Sequence, residues 1–167
     1  MSTIEMQNMT QYLTYKLEDE VFAFDISKVR EVLDFTTMTK VPKTPDFMRG
    51  VINLRGSVVP VVDLKLKFGM NRTEKTVNTC IIITEVTVDG EITVLGVLAD
   101  SVQEVIDLES DHIEPAPTIG TQLNTEFIKG MGKQNDRFVI ILDIDKVFST
   151  GEIALVQAGL PAEASLN

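Results

Sequence analysis

Apolar and polar residues alternate along much of the chain. Leu13, Tyr15 and Leu17 point one way and Thr14 and Lys16 the other, and after the polar break Glu18-Asp19-Glu20 the alternation resumes at Phe22, Phe24 and Ile26. A two-residue period marks half-buried strands, so this stretch predicts a β-hairpin. A second hairpin is predicted where residues 80–88 and 91–98 flank Asp89-Gly90, a dipeptide suited to the positive φ angles of a two-residue turn. Helix signals are few. Thr44-Pro45-Asp46 predicts one capped turn and Asp63 to Phe68 another. Ser149-Thr150, followed by GEIALVQAG and Pro161, predicts a C-terminal helix ending near Ala158.

The pattern also repeats. FMRGV at 47–51 recurs as FIKGM at 127–131, and each copy runs on into a β-segment ending in aspartate, SVVPVVDL and RFVIILDI. Gly50 to Asp63 and Gly130 to Asp143 are both 13 positions, and Phe68 and Phe148 each lie five beyond the aspartate. Upstream, ISKVREVLD at 26–34 matches ADSVQEVID at 99–107, and Pro42 and Pro115 keep the same offset of 73. The second copy carries seven more residues between proline and phenylalanine, in the segment PAPTIGTQLNTE at 115–126. Two similar β-units follow, at about residues 12–68 and 78–148, within one domain over 1–158 and ahead of a tail at 159–167. A unit of roughly 60 residues has little core of its own, so the two gain by packing together. Short strands joined by polar turns favour closure into small barrels, which leaves no unpaired edges. A mostly β protein of two packed barrels is the expected architecture, with one larger sandwich as the alternative.

Composition narrows the function. Hydrophobic residues make up 44% of the 167, enough for a folded core. The net charge of −10 repels polyanions and disfavours nucleic acid as a partner. The opening MSTIEMQNMT lacks the pattern of a secretory signal, and no apolar run approaches the ~20 residues that span a bilayer. A cytoplasmic location is expected. Candidate chemistry is sparse. His112 has acidic neighbours but no second histidine or cysteine at ligand spacing, and Cys80, in the run CIII, reads as a buried small hydrophobe. GMGK at 130–133 lacks the remaining residues of a phosphate loop, and DLESDHIEP lacks the glycine and terminal glutamate of a calcium loop. No catalytic residue, metal site or cofactor is expected, which leaves binding.

The repeat breaks where binding would show. NLRG at 53–56 aligns with KQND at 133–136. A tight turn explains Asn53 and Gly56, but it makes no demand for Leu54 or Arg55. The stretch FMRGVINLRGSVVPVVDLKLKF, with DISKVREV, the GVLADSVQEV block and EPAP…LNTEFIKGMG, resembles the chemotaxis coupling protein (CheW) family over about residues 10 to 158.

The resemblance implies two five-stranded SH3-like barrels and a stand-alone, non-catalytic adaptor. Such an adaptor joins the cytoplasmic tips of membrane chemoreceptors to the regulatory domain of a histidine kinase, and is recruited to receptor arrays without inserting into the membrane. A generic β-barrel interaction module in another two-component pathway is the alternative. By resemblance, the receptor groove uses Val29, Glu31, Gly50, Arg55, Cys80, Ile81, Gly96 and Val105. Barrel core is an equal reading for Val29, Cys80, Ile81 and Val105. Arg55 suits carboxylates or helix-end carbonyls, since its planar fork makes paired hydrogen bonds. If that groove serves the receptor, the kinase needs another surface, for which Leu123 and Phe127 are the candidates. The competing reading is that both pin the long loop to its barrel.

Overall fold

The computed structural model describes residues 9–115 and 126–158. Strands β1 (Met9–Leu17), β2 (Glu20–Asp25), β3 (Val29–Asp34), β4 (Met48–Leu54) and β5 (Ser57–Val62) lead into a one-turn helix, α1 (Leu64–Lys67). Strands β6 (Cys80–Val88), β7 (Glu91–Ala99), β8 (Ser101–Glu109), β9 (Ile113–Glu114), β10 (Ile128–Gln134) and β11 (Arg137–Leu142) follow, then α2 (Ile144–Val147) and α3 (Thr150–Ala158). Both predicted hairpins form. β1 pairs with β2 around Glu18-Asp19, and β6 pairs with β7 around Asp89 and Gly90 at φ 51° and 80°. Asp63 caps α1 through Lys65 N–H and Asp143 caps α2 through Asp145 N–H. Ser149 and Glu152 cap α3 reciprocally. Thr44-Pro45-Asp46 forms turns rather than a helix. Pro45 already accepts a hydrogen bond from Met48 N–H, where β4 begins, so no residues remain for a helical turn.

The strands form two curled sheets, ordered β3-β6-β7-β5-β4 and β8-β1-β2-β11-β10-β9. Neither sheet is one repeat. The β1–β2 hairpin of the first half joins the second half's strands through the parallel pair β2–β11, and the β6–β7 hairpin joins the first half's strands through the parallel pair β7–β5. The two-residue β9 makes the second sheet six-stranded rather than five. Each sheet also closes on itself. The chain leaving β3 returns to β4 through a Thr39–Val51 bridge, and the chain leaving β8 returns to β10 through β9. The repeat's glycines sit at these seams. A Cβ on Gly50 (φ 150°) would lie 2.7 Å from the Thr39 carbonyl oxygen, and one on Gly130 2.4 Å from Ile113 Cγ2. Closure over β4 and β10 therefore requires a residue without a side chain.

The exchange explains the near-continuous apolar runs. In β6, Ile81 and Ile83 fill the five-stranded barrel with Ile52, Val59, Val61 and Leu98. Ile82 and Val86 point the other way, into a larger core between the sheets that also takes Tyr15, Phe24, Val97 and Leu142. Val139 and Ile141 of β11 fill the six-stranded barrel, while Leu142 joins the shared core. Such strands are buried on both faces, so strict alternation is lost. The repeated phenylalanines meet across copies: Phe47 packs tilted against Phe148 at 5.2 Å and Phe127 stacks on Phe68 at 4.9 Å between ring centroids. Ile153 and Val156 anchor α3 to the same core.

Candidate functional site

Asn53 to Gly56 make the β4–β5 turn. Asn53 Oδ1 accepts from Gly56 N–H at 2.8 Å, and Arg55 and Gly56 hold φ of 50° and 87°. In the second copy the corresponding residues are Asn135 and Asp136, at 50° and 66°. Asparagine and aspartate tolerate this left-handed backbone, whereas arginine gains nothing from it. The turn therefore holds Arg55 against local preference. Its side chain is 70% exposed, yet both terminal guanidinium nitrogens reach the Glu31 carboxylate, Nη1 to Oε1 at 3.2 Å and Nη2 to Oε2. Glu31 lies on β3 and Arg55 follows β4, the two terminal strands of the five-stranded sheet, so the pair crosses the seam of the barrel. The hydrogen-bonded guanidinium holds the Glu31 carboxyl below the usual glutamate range, and Glu31 in turn raises the pKa of Arg55.

Arg55 also borders a groove of about 540 Å³ whose walls include Leu54, Val58, Ile92 and Val94. Arg30 stands at the same groove, paired with Glu85 at 3.0 Å. Ile92 is 64% exposed there and extends the apolar wall to the surface. Gln157 of α3 closes one side and donates to Thr93 Oγ1. Two guanidinium groups held by carboxylates beside an apolar wall suit an amphipathic protein segment. Arg30, Ile92 and Gln157 escape a sequence reading, because only folding brings β3, β7 and α3 together. Leu54 left a trace there, as the second residue the turn does not require.

Of the eight residues expected at a receptor groove, the structure unites Glu31 and Arg55. Ile81 and Gly96 meet each other instead, inside the barrel. Ile81 is fully buried, and a Cβ on Gly96 would lie 2.9 Å from Ile81 Cγ2 and 3.1 Å from Val61 Cγ2. A partner cannot touch them, because the pleat of β6 turns residue 81 inward; they set the barrel's close packing. Gly50 is buried under the Thr39 carbonyl. Val29 is half-buried against the core between the sheets. Val105 is 48% exposed but lies on β8, in the other sheet.

Cys80 is half-exposed at the start of β6 rather than buried; its thiol donates to the Asn78 carbonyl, and partial burial raises its pKa. His112 lies in an exposed turn, 3.9 Å from Glu109. Leu123 falls outside the described residues. Phe127 is half-buried against Phe68, whereas Phe47 is buried against Phe148, and Phe127 lines a mainly apolar groove of about 380 Å³ with Phe22, Met70 and Ile140.

Two closed barrels with exchanged hairpins and an arginine held out over an apolar groove define a β-barrel scaffold of the protein-binding class. Comparison with known proteins makes the class specific. Residues 11–152 match the CheW-like domain. The chain is 37% identical over 146 residues to the chemotaxis protein CheW of Klebsiella aerogenes, covering 87% of this chain and 86% of that one. It is 31% identical to CheW of Bacillus subtilis, covering 87% and 90%. The crystal structure of the scaffolding protein TtCheW from Thermoanaerobacter tengcongensis superposes with a TM-score of 0.75 at 36% identity, covering 86% and 90%. The chain belongs to the CheW-like family of chemotaxis scaffold proteins, which are non-catalytic.

Proposed function

We propose that this protein couples membrane chemoreceptors to a cytoplasmic histidine kinase, with the Arg55 face receiving the receptor's helical tip. One observation carries the reading: Arg55 is held out at a left-handed turn position and locked by Glu31 across the barrel seam. A pre-set guanidinium fork loses little side-chain entropy when it meets a carboxylate or a helix-end carbonyl. The neighbouring apolar wall takes the receptor helix's hydrophobic stripe. Ile81, Gly96 and Gly50 serve the site indirectly, by fixing the barrel that carries Arg55. The kinase takes a surface away from Arg55, and the open apolar groove beside Phe127 supports placing it there. No helix among the described residues is long and apolar enough to cross a membrane.

Calorimetric titration with a purified receptor-tip hairpin and, separately, with the kinase's regulatory domain tests the reading. Arg55→Glu weakens receptor binding by about tenfold or more, as loss of an arginine hot spot does, and leaves kinase binding unchanged. Arg55→Lys keeps the charge without the fork and falls between. A folded Arg55→Glu protein with normal receptor affinity refutes the assignment, and equal loss of both partners refutes separate surfaces.

A further inference from the structure

A third concave site lies where residues 40–49 pass α1 and the segment after it. Its volume is about 330 Å³, and four cations line it, Lys40, Lys43, Arg49 and Arg72, against one carboxylate, Asp46. This concentration stands out in a chain of net charge −10. Arg49 is compensated, since its Nη1 binds Asp63 at 2.9 Å and the Thr73 carbonyl at 2.8 Å. Lys40, Lys43 and Arg72 are exposed and make no ion pair among the described residues. Converging like charges repel one another, so the fold gains nothing from them unless something anionic enters.

The internal repeat shows that the architecture does not require these cations. At the matching offsets the second copy has Ile113 for Lys40, Ala116 for Lys43 and Glu152 for Arg72. Only Arg49 keeps a basic counterpart, Lys129. Lys43 adds a backbone cost, because its φ of 61° is a left-handed value that lysine does not favour. Pro42 before it and Pro45 after it restrict this loop.

We infer that this pocket binds a small, multiply charged phosphate-bearing anion. A single carboxylate would leave most of the positive charge unmatched, whereas a di- or triphosphate offers several oxygens to lysine ammonium and arginine fork alike. The volume suits a small ligand. A soluble anion fits better than an anionic bilayer, because the site is concave and the protein's overall negative charge opposes approach to such a surface.

Inorganic pyrophosphate at low ionic strength is the probe, followed by calorimetry and by the rise in melting temperature that ligation of the native state produces. The intact protein binds saturably at one site. Lys40→Glu/Lys43→Glu weakens binding about tenfold or more. Lys129→Glu/Lys133→Glu, with the same change in net charge on the other barrel, does not. Lys43→Asn, which tolerates the left-handed backbone, keeps the melting temperature of the free protein and still loses affinity. No binding by the intact protein, or equal loss in the two double variants, overturns the proposal. Sedimentation with phosphatidylglycerol vesicles tests the source. Capture that depends on Lys40 and Lys43, without any pyrophosphate binding, overturns the assignment to a soluble anion.

Discussion

Asp63 and Asp143 occupy the same place in the repeat, yet their removal should cost very different amounts. Asp63 is completely buried and accepts four hydrogen bonds: from Arg49 Nη1 at 2.9 Å, Thr73 N–H at 3.0 Å, Thr73 Oγ1 at 2.8 Å and Lys65 N–H at 3.1 Å. Asp63→Ala strands two backbone donors and a guanidinium whose side chain is only 12% exposed. Breaking a buried ion pair costs about 3–5 kcal/mol, and the slight exposure of Arg49 places this case near the lower end. Asp143 has a 29% exposed side chain, caps Asp145 N–H at 3.1 Å and lies 4.0 Å from Lys146. Its removal loses a helix cap and a surface pair, about 1 kcal/mol. At roughly 2–4 °C per kcal/mol for a chain of this size, calorimetry should find Asp63→Ala melting roughly 10 °C below the parent and Asp143→Ala only a few degrees below. Equal shifts would refute the reasoning, since they would mean that Thr73 and Arg49 contribute nothing to how Asp63 is held.

Gly50→Ala should destabilise by about 2–4 kcal/mol in urea titration, through overpacking against the rigid Thr39 carbonyl and a φ of 150° that alanine resists. Gly130→Ala should cost less, because the atom it meets first is the Ile113 methyl and its backbone is not left-handed; the reverse order would refute the seam argument. Glu31 provides a pH test. Its folded pKa is depressed by Arg55, so the pair's contribution is present above the unfolded glutamate value of about 4.3 and is lost as pH falls through the folded value. In an NMR titration, Arg55→Ala should raise the Glu31 midpoint toward that ordinary value, and an unmoved midpoint would refute the coupling.

Hairpins, caps and the repeat were legible from sequence because they depend on neighbours in the chain. Asp89-Gly90 dictates a tight turn wherever its strands lie, and Asp63 caps the residue two positions on. The misfit of Arg55 was legible for the same reason, since a turn that elsewhere uses Asn135 has no local need for arginine. Which residues face a partner was not. The run CIII looks alike on both faces, and only the exchange of hairpins decides that Ile81 fills one barrel while Ile82 enters the core between the two. The repeat itself invites two self-contained units. The tertiary structure instead swaps their first hairpins, because β1–β2 and β6–β7 carry the same pattern and each finds a parallel partner strand in the other half. Val105, on β8 of the second half, stays in the opposite sheet from Arg55. The exchange carries Ile92 of β7 to the groove beside Arg55, where Arg30 of β3 and Gln157 of α3 meet it, a grouping fixed by packing between residues far apart in the chain.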